Sequence, residues 1–141
     1  DRFRALRDFV EAAAFDHVGV FTYSEEKGTP AAALPDDVPA ALKEERRAEI
    51  MAAQESIAAR RNRARIGRTI EVLVDGPHED SDLVRVGRTE GQAPEIDGRV
   101  ILTELAGPIP AGRFVSARIV EAHPFDLVGA VIETPALQPA P

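Results

Sequence analysis

Few side chains in this sequence have the types and spacing that catalysis demands. Its three histidines, His17, His78 and His123, lie far apart, and none belongs to a metal-ligand pattern such as HxxxH, where two imidazoles one helical turn apart face the same ion. They read as surface or turn residues. Cysteine is absent altogether, which excludes disulfides, thiolate zinc, a cysteine nucleophile and any iron–sulfur cluster held by this chain itself. Ser24 has neither nucleophile-elbow glycines nor a strand-to-helix turn around it, so a serine triad has no local support. The acid pairs Glu25-Glu26, Asp36-Asp37 and Glu44-Glu45 are adjacent in sequence and need not face each other across a cleft. They read as a solvated loop, a helix N-terminal charge pair and a helix surface.

Three segments are more specific. Phe21 to Pro30 runs from an apolar stretch into a polar loop containing Gly28, and loops at the carboxyl ends of strands form the ligand face of an α/β barrel. Gly87 to Gly98 joins two apolar stretches through a long loop with three glycines and a proline between, and such loops are common contact surfaces of small barrels. Arg60, Arg61, Arg63, Arg65 and Arg68 form a basic cluster with no acid from Ser56 to Ile70. That cluster suits a helix C-terminus, where cations offset the dipole, and it is also a candidate contact to RNA.

The elements that must carry these segments follow from periodicity. Apolar residues Phe3, Leu6, Phe9, Val10, Ala13 and Ala14 recur at three- and four-residue steps, which predicts an amphipathic helix from Arg2 to Phe15. Val18 to Tyr23 is apolar on both alternating faces and predicts an interior strand of a parallel sheet covered on both sides. One helix and one strand cannot make such a sheet, so residues 1–38 are expected to be the closing helix-strand unit of a larger α/β domain, and a chain beginning at Asp1 to be a piece of a longer one. Ser24 to Pro39, with Gly28 and three prolines, predicts an irregular connection. Ala40 to Ile66 has no Gly or Pro and predicts a long helix, with carboxylates before it, arginines at its end, Gly67 as its stop, and Leu42, Ile50, Ala53, Ile57 and Ala64 on one face. Residues 39–66 are therefore expected to be a linker helix.

Beyond Gly67 short strands are predicted at Thr69–Val74, Leu83–Arg88, Arg99–Thr103, Phe114–Val120 and Leu127–Ile132. Five strands in so short a stretch predict a closed, antiparallel, OB-like barrel over residues 67–134, because closure removes exposed edges from a small core. Residues 135–141 should form a loose tail. The fold class is thus α+β overall. The 141 residues carry net charge −7, and residues 65–135 hold seven Arg and no Lys against twelve Asp or Glu. An acidic barrel favours a basic protein partner over a phosphate backbone. No apolar run approaches the roughly 20 residues of a membrane helix, and no secretory signal pattern opens the chain, so a cytoplasmic location is expected.

Several uncommon strings occur here in an ordered series: Val18-Gly-Val-Phe-Thr-Tyr-Ser-Glu-Glu-Lys-Gly-Thr, Asp37-Val-Pro, Lys43-Glu-Glu-Arg, Gly87-Arg-Thr and Ala93-Pro-Glu-Ile-Asp-Gly98. In these strings, and over about Phe3 to Ile132, the chain resembles the C-terminal part of the radical SAM methylthiotransferases, and within them the branch that modifies an aspartate of a small-subunit ribosomal protein. The resemblance implies a full-length enzyme with an N-terminal cluster domain, a central radical SAM barrel and a C-terminal TRAM domain. It implies S-adenosylmethionine and two 4Fe-4S clusters, each held by three cysteines, none of which is present here. This chain alone is then expected to be inactive. The resemblance further implies that Val20, Phe21 and Thr22 border the adenine of S-adenosylmethionine. Where the family usually places Asp before Ala-Pro-Glu, this sequence has Gln92. Arg88, Glu90, Glu95 and Asp97 are the expected contacts to a basic ribosomal protein. The alternative is an RNA-binding TRAM module of a tRNA-modifying sibling, and a third role is to brace the catalytic domain.

Overall fold

Arg2–Ala13 form helix α1, because an apolar stripe at helical spacing gains most when wound onto one face. It stops at Ala14, whose left-handed φ of 48° turns the chain and lets its N–H donate to the Val10 carbonyl at 3.0 Å. The computed structural model describes residues 1–133, and the tail expected at 135–141 lies outside the described residues. The chain divides into two units, Asp1–Ile57 and Ala58–Pro141.

In the first unit Pro30–Ala33 make a single 3₁₀ turn, η1, within the stretch expected to be irregular. Helix α2, Ala40–Arg63, begins in this unit and ends in the second. Val10, Ile50 and Ile57 form its buried cluster, with Phe3, Ala14, Val18 and Val20 packed around them. Gln54 ties α2 to the end of α1 through Nε2, which donates to the carbonyls of Phe15 and Asp16 at 3.0 and 3.1 Å. The strand expected at Val18–Tyr23 is not formed. A strand exists through its ladder, and among the described residues no strand lies in this unit to supply one. The backbone groups of Val20, Phe21 and Thr22 make no hydrogen bond among the described residues.

Helix α2 stops at Arg63, three residues before the expected Ile66. Arg65 and Ile66 instead donate to carbonyls three residues back, and Gly67, at φ 82°, supplies the left-handed turn out of the helix. The first turn of α2 holds no acid. Asp36, expected to face the helix dipole, pairs with Lys43 instead.

The second unit is a closed barrel of β1 (Thr69–His78), β2 (Ser81–Arg88), β3 (Val100–Thr103), β4 (Phe114–Ala122) and β5 (Leu127–Glu133). Its ring order is β1-β2-β3-β5-β4. Four neighbouring pairs are antiparallel and β3–β5 is parallel, so the all-antiparallel expectation is corrected. The reason is topological. Strand direction must alternate around an antiparallel ring, and a ring of five cannot return to its starting sense without one parallel pair. β1 runs through the expected break at Asp75-Gly76-Pro77 by a register shift between Val74 and Gly76, a bulge that bends the strand while keeping its pairing. Inside the barrel Val72, Val74, Val100, Leu102, Ile109, Val115, Ala117, Ile119 and Leu127 are buried. Apart from Ile109, which enters from the β3–β4 connection, they alternate along the strands with outward-facing residues, as a barrel interior requires.

Candidate functional site

The loop from Thr89 to Arg99 is built around one buried amide. Gln92 is 8% exposed. Its Oε1 accepts from the backbone N–H and the hydroxyl of Thr89 at 2.9 and 3.0 Å, while Nε2 donates to the Gly98 carbonyl. Only a side chain that both accepts and donates can join the loop's two ends in this way. Asp97 adds a second tie, its Oδ2 accepting from the Ala93 N–H at 2.7 Å. Gly98 lies so close to the β4–β5 turn that an added Cβ would stand 1.8 Å from the Phe125 carbonyl oxygen. On β2, just before the loop, a Cβ on Gly87 would meet the Leu73 carbonyl oxygen at 2.5 Å. After Gly98 the backbone is held from the β4–β5 turn as well, since the Arg99 N–H donates to Asp126 Oδ1 at 2.9 Å.

This loop, the bulged part of β1 and the β4–β5 turn enclose a cleft of about 540 Å³. Its walls carry five carboxylates, Asp75, Glu79, Glu95, Asp97 and Asp126, against two guanidinium groups, Arg88 and Arg99. Arg88 pairs with Asp75, and Arg99 with Glu79 at 3.0 Å. Asp97 and Asp126 are spent on the backbone bonds above. Glu95 has no partner among the described residues and stands exposed beside the cleft. The chemistry on offer is attraction of positive charge.

Of the partner contacts expected from the sequence, Arg88, Glu95 and Asp97 line the cleft, whereas Glu90 is exposed outside its lining. Arg88 is engaged with Asp75, so it neutralises an acid and is not a free contact. Sequence reasoning missed Asp75, Glu79, Arg99 and Asp126. They come from three separated segments, and no spacing along the chain relates them.

In the first unit Val20, Phe21 and Thr22 border a second, more open hollow of about 370 Å³, together with Phe3, Leu6, Tyr23, Lys43 and Arg46. Phe21 is 92% exposed. Lys43 Nζ lies 5.4 Å from the Tyr23 ring centre and donates to the Tyr23 carbonyl. On the outer face of α2 the Arg47 guanidinium, bonded to Glu44 at 2.6 Å, holds the Glu44 carboxyl below the usual carboxylate range.

Arg60, Arg61 and Arg63 occupy the last turn of α2, with Arg65 and Arg68 just beyond. Arg60, Arg63, Arg65 and Arg68 have no carboxylate partner among the described residues. Two of the histidines take local roles. His78 Nδ1 accepts from the Asp80 N–H, and His123 Nε2 lies 3.1 Å from Glu121. Among the described residues no three His, Asp or Glu side chains come together as a metal site, and no helix is long and apolar enough to cross a membrane.

Residues 66–132 match the TRAM domain family. Over 133 residues, 94% of its length, the chain is 45% identical to the ribosomal protein uS12 methylthiotransferase RimO of Trichlorobacter lovleyi, of which it covers 29%. It is 47% identical over 136 residues to RimO of Roseiflexus sp. and 45% identical over 134 residues to RimO of Myxococcus xanthus, covering 28% of each. The chain thus spans between a quarter and a third of the length of the curated relatives it matches. The likeness runs through both units, and it is to the C-terminal, TRAM-bearing part of RimO.

Proposed function

We propose, on the premise that the chain is the TRAM-bearing C-terminal segment of a RimO-type methylthiotransferase, that the barrel recognises the enzyme's protein substrate through its acidic cleft. The whole protein would add a methylthio group to an aspartate of ribosomal protein uS12 in the cytoplasm. The observation that carries this reading is the wall of five carboxylates against two paired arginines. Such a surface steers a cationic polypeptide and repels a phosphate backbone. Ribosomal proteins are in general basic, because they pack against RNA.

In the whole enzyme, residues 1–38 would close the radical SAM barrel and residues 39–66 would be the linker helix. S-adenosylmethionine and two 4Fe-4S clusters would supply the radical and sulfur-transfer chemistry. This chain has no cysteine, so it holds neither cluster and would be inactive by itself. The backbone groups of Val20, Phe21 and Thr22, which make no hydrogen bond among the described residues, suit the hydrogen-bonding edge of an adenine, and they are the chain's candidates for that contact.

The test is equilibrium binding of the chain to uS12, comparing wild type with Glu95→Lys and Asp97→Lys. Each reversal should weaken binding about tenfold, with a steeper loss at low salt than at high salt. Unchanged affinity for both variants would remove the cleft from substrate recognition.

The arginines favour a second reading. Four of them lack carboxylate partners among the described residues, in a chain of net charge −7, which suits contact with RNA, either ribosomal RNA beside the protein substrate or the RNA of a tRNA-modifying enzyme. RNA binding that falls steeply with salt and is weakened by Arg60→Glu and Arg65→Glu would support it.

A further inference from the structure

Between the carboxylates of Glu95 and Asp97, the side chain of Ile96 is 84% exposed. A lone exposed aliphatic residue is ordinary on a protein surface, and Leu83 on β2 is equally exposed. The setting of Ile96 is different. It sits at the crest of a loop whose ends are joined through Gln92 and whose middle is tied by Asp97 to the Ala93 backbone in both directions. Gly98 anchors the loop's exit against Phe125. Just before Ile96, Glu95 holds a φ of 63°, a left-handed conformation that costs energy for a residue with a side chain and persists only where its surroundings enforce it. These bonds fix the backbone on both sides of Ile96, in a conformation that leaves the aliphatic group in solvent.

We propose that Ile96 is the apolar anchor of the docking site, taking an aliphatic side chain of the cationic segment whose basic heads meet Glu95 and the cleft. This rests on the reading of the cleft as a site for a basic polypeptide. Charge complementarity selects that occupant. A nucleic acid would bring phosphates against Glu95 and Asp97, whereas a Lys- or Arg-containing segment brings basic heads on apolar stems, with aliphatic neighbours, and matches both parts of the crest. Because the loop is already ordered, little conformational freedom is lost on docking, which is what allows one side chain to carry a large share of affinity.

The experiment is equilibrium binding of the full chain to uS12 and, separately, to polylysine, which offers charge without aliphatic neighbours. Wild type, Ile96→Ser, Ile96→Val and Glu95→Gln are compared at low and high salt. Ile96→Ser should weaken uS12 binding about tenfold at both salt concentrations and leave polylysine binding unchanged, while Ile96→Val stays within about threefold of wild type. Glu95→Gln should weaken both ligands. Unchanged uS12 affinity in Ile96→Ser, with a loss in Glu95→Gln, would overturn the anchor and leave the acidic cleft standing. If neither variant loses affinity, or if wild type does not bind uS12, the cleft reading and the anchor fall together. A thermal melt of Ile96→Ser should match wild type, and a clear drop in its midpoint would make Ile96 a structural residue and overturn the proposal.

Discussion

The second unit closes on itself and the first does not. In the barrel every strand has two hydrogen-bonded neighbours, and nine side chains fill one buried interior. The first unit buries Val10, Ile50 and Ile57 and leaves Leu6, Phe9, Phe21 and Leu34 exposed. Both regions carry apolar residues in regular patterns, so patterning alone does not separate them. The difference lies in the backbone. The barrel satisfies its peptide groups within its own ring, while Val20, Phe21 and Thr22 offer theirs to no partner among the described residues. An apolar segment gains from burial only where its peptide groups are satisfied as well.

The sharpest way to break that comparison is to truncate one side chain on each side of it. Leu102 is fully buried, and Leu102→Ala should destabilise the barrel by about 3 kcal/mol through lost transfer energy and the cavity left behind. Phe21→Ser, at an exposed site, should change stability by less than about 0.5 kcal/mol. Urea titration followed by amide exchange in residues 69–133 checks the first, and exchange in α1 and α2 the second. A large loss from Phe21→Ser would mean that the first unit has a core this account has not identified.

The smallest expected effect concerns Glu44, on the exposed face of α2. Its carboxyl is held below the usual range by the Arg47 hydrogen bond. The folded form therefore gains stability above the usual carboxylate range, and that gain is lost as pH falls and the group protonates. Because the pair is exposed, solvent keeps the contribution small. In an NMR titration the Glu44 carboxyl carbon should have a midpoint below that of an unpaired glutamate, and Arg47→Ala should bring it back. An unaltered midpoint in that variant would assign the shift to another group.

Much of the barrel was legible in the sequence because short runs rich in apolar and β-branched residues recur between turn residues, a pattern local to a few positions. The parallel β3–β5 pair was not legible, since it follows from the parity of the closed ring and not from anything within Val100–Thr103 or Leu127–Glu133. Val18 to Tyr23 has the composition of a buried strand, but composition cannot report whether a neighbour is there to pair with it. In the cleft, Glu95 and Asp97 were found because they share a loop with Gly98. Asp75, Glu79 and Asp126 were not, because only the bulge in β1 and the close approach at Gly98 bring their segments together. Gln92 stood out by its departure from the family's usual Asp. Its role as a two-ended tie depends on an amide donating to the Gly98 carbonyl, which an ionised aspartate cannot do.

The most direct test of the central claim is an amide-exchange footprint of uS12 on the chain. Slowed exchange across Gln92–Arg99 and at Asp75–Glu79, with Arg60–Arg68 unaltered, is the result this account predicts. Slowing confined to Arg60–Arg68, with the loop and the β1 bulge unaffected, would contradict it.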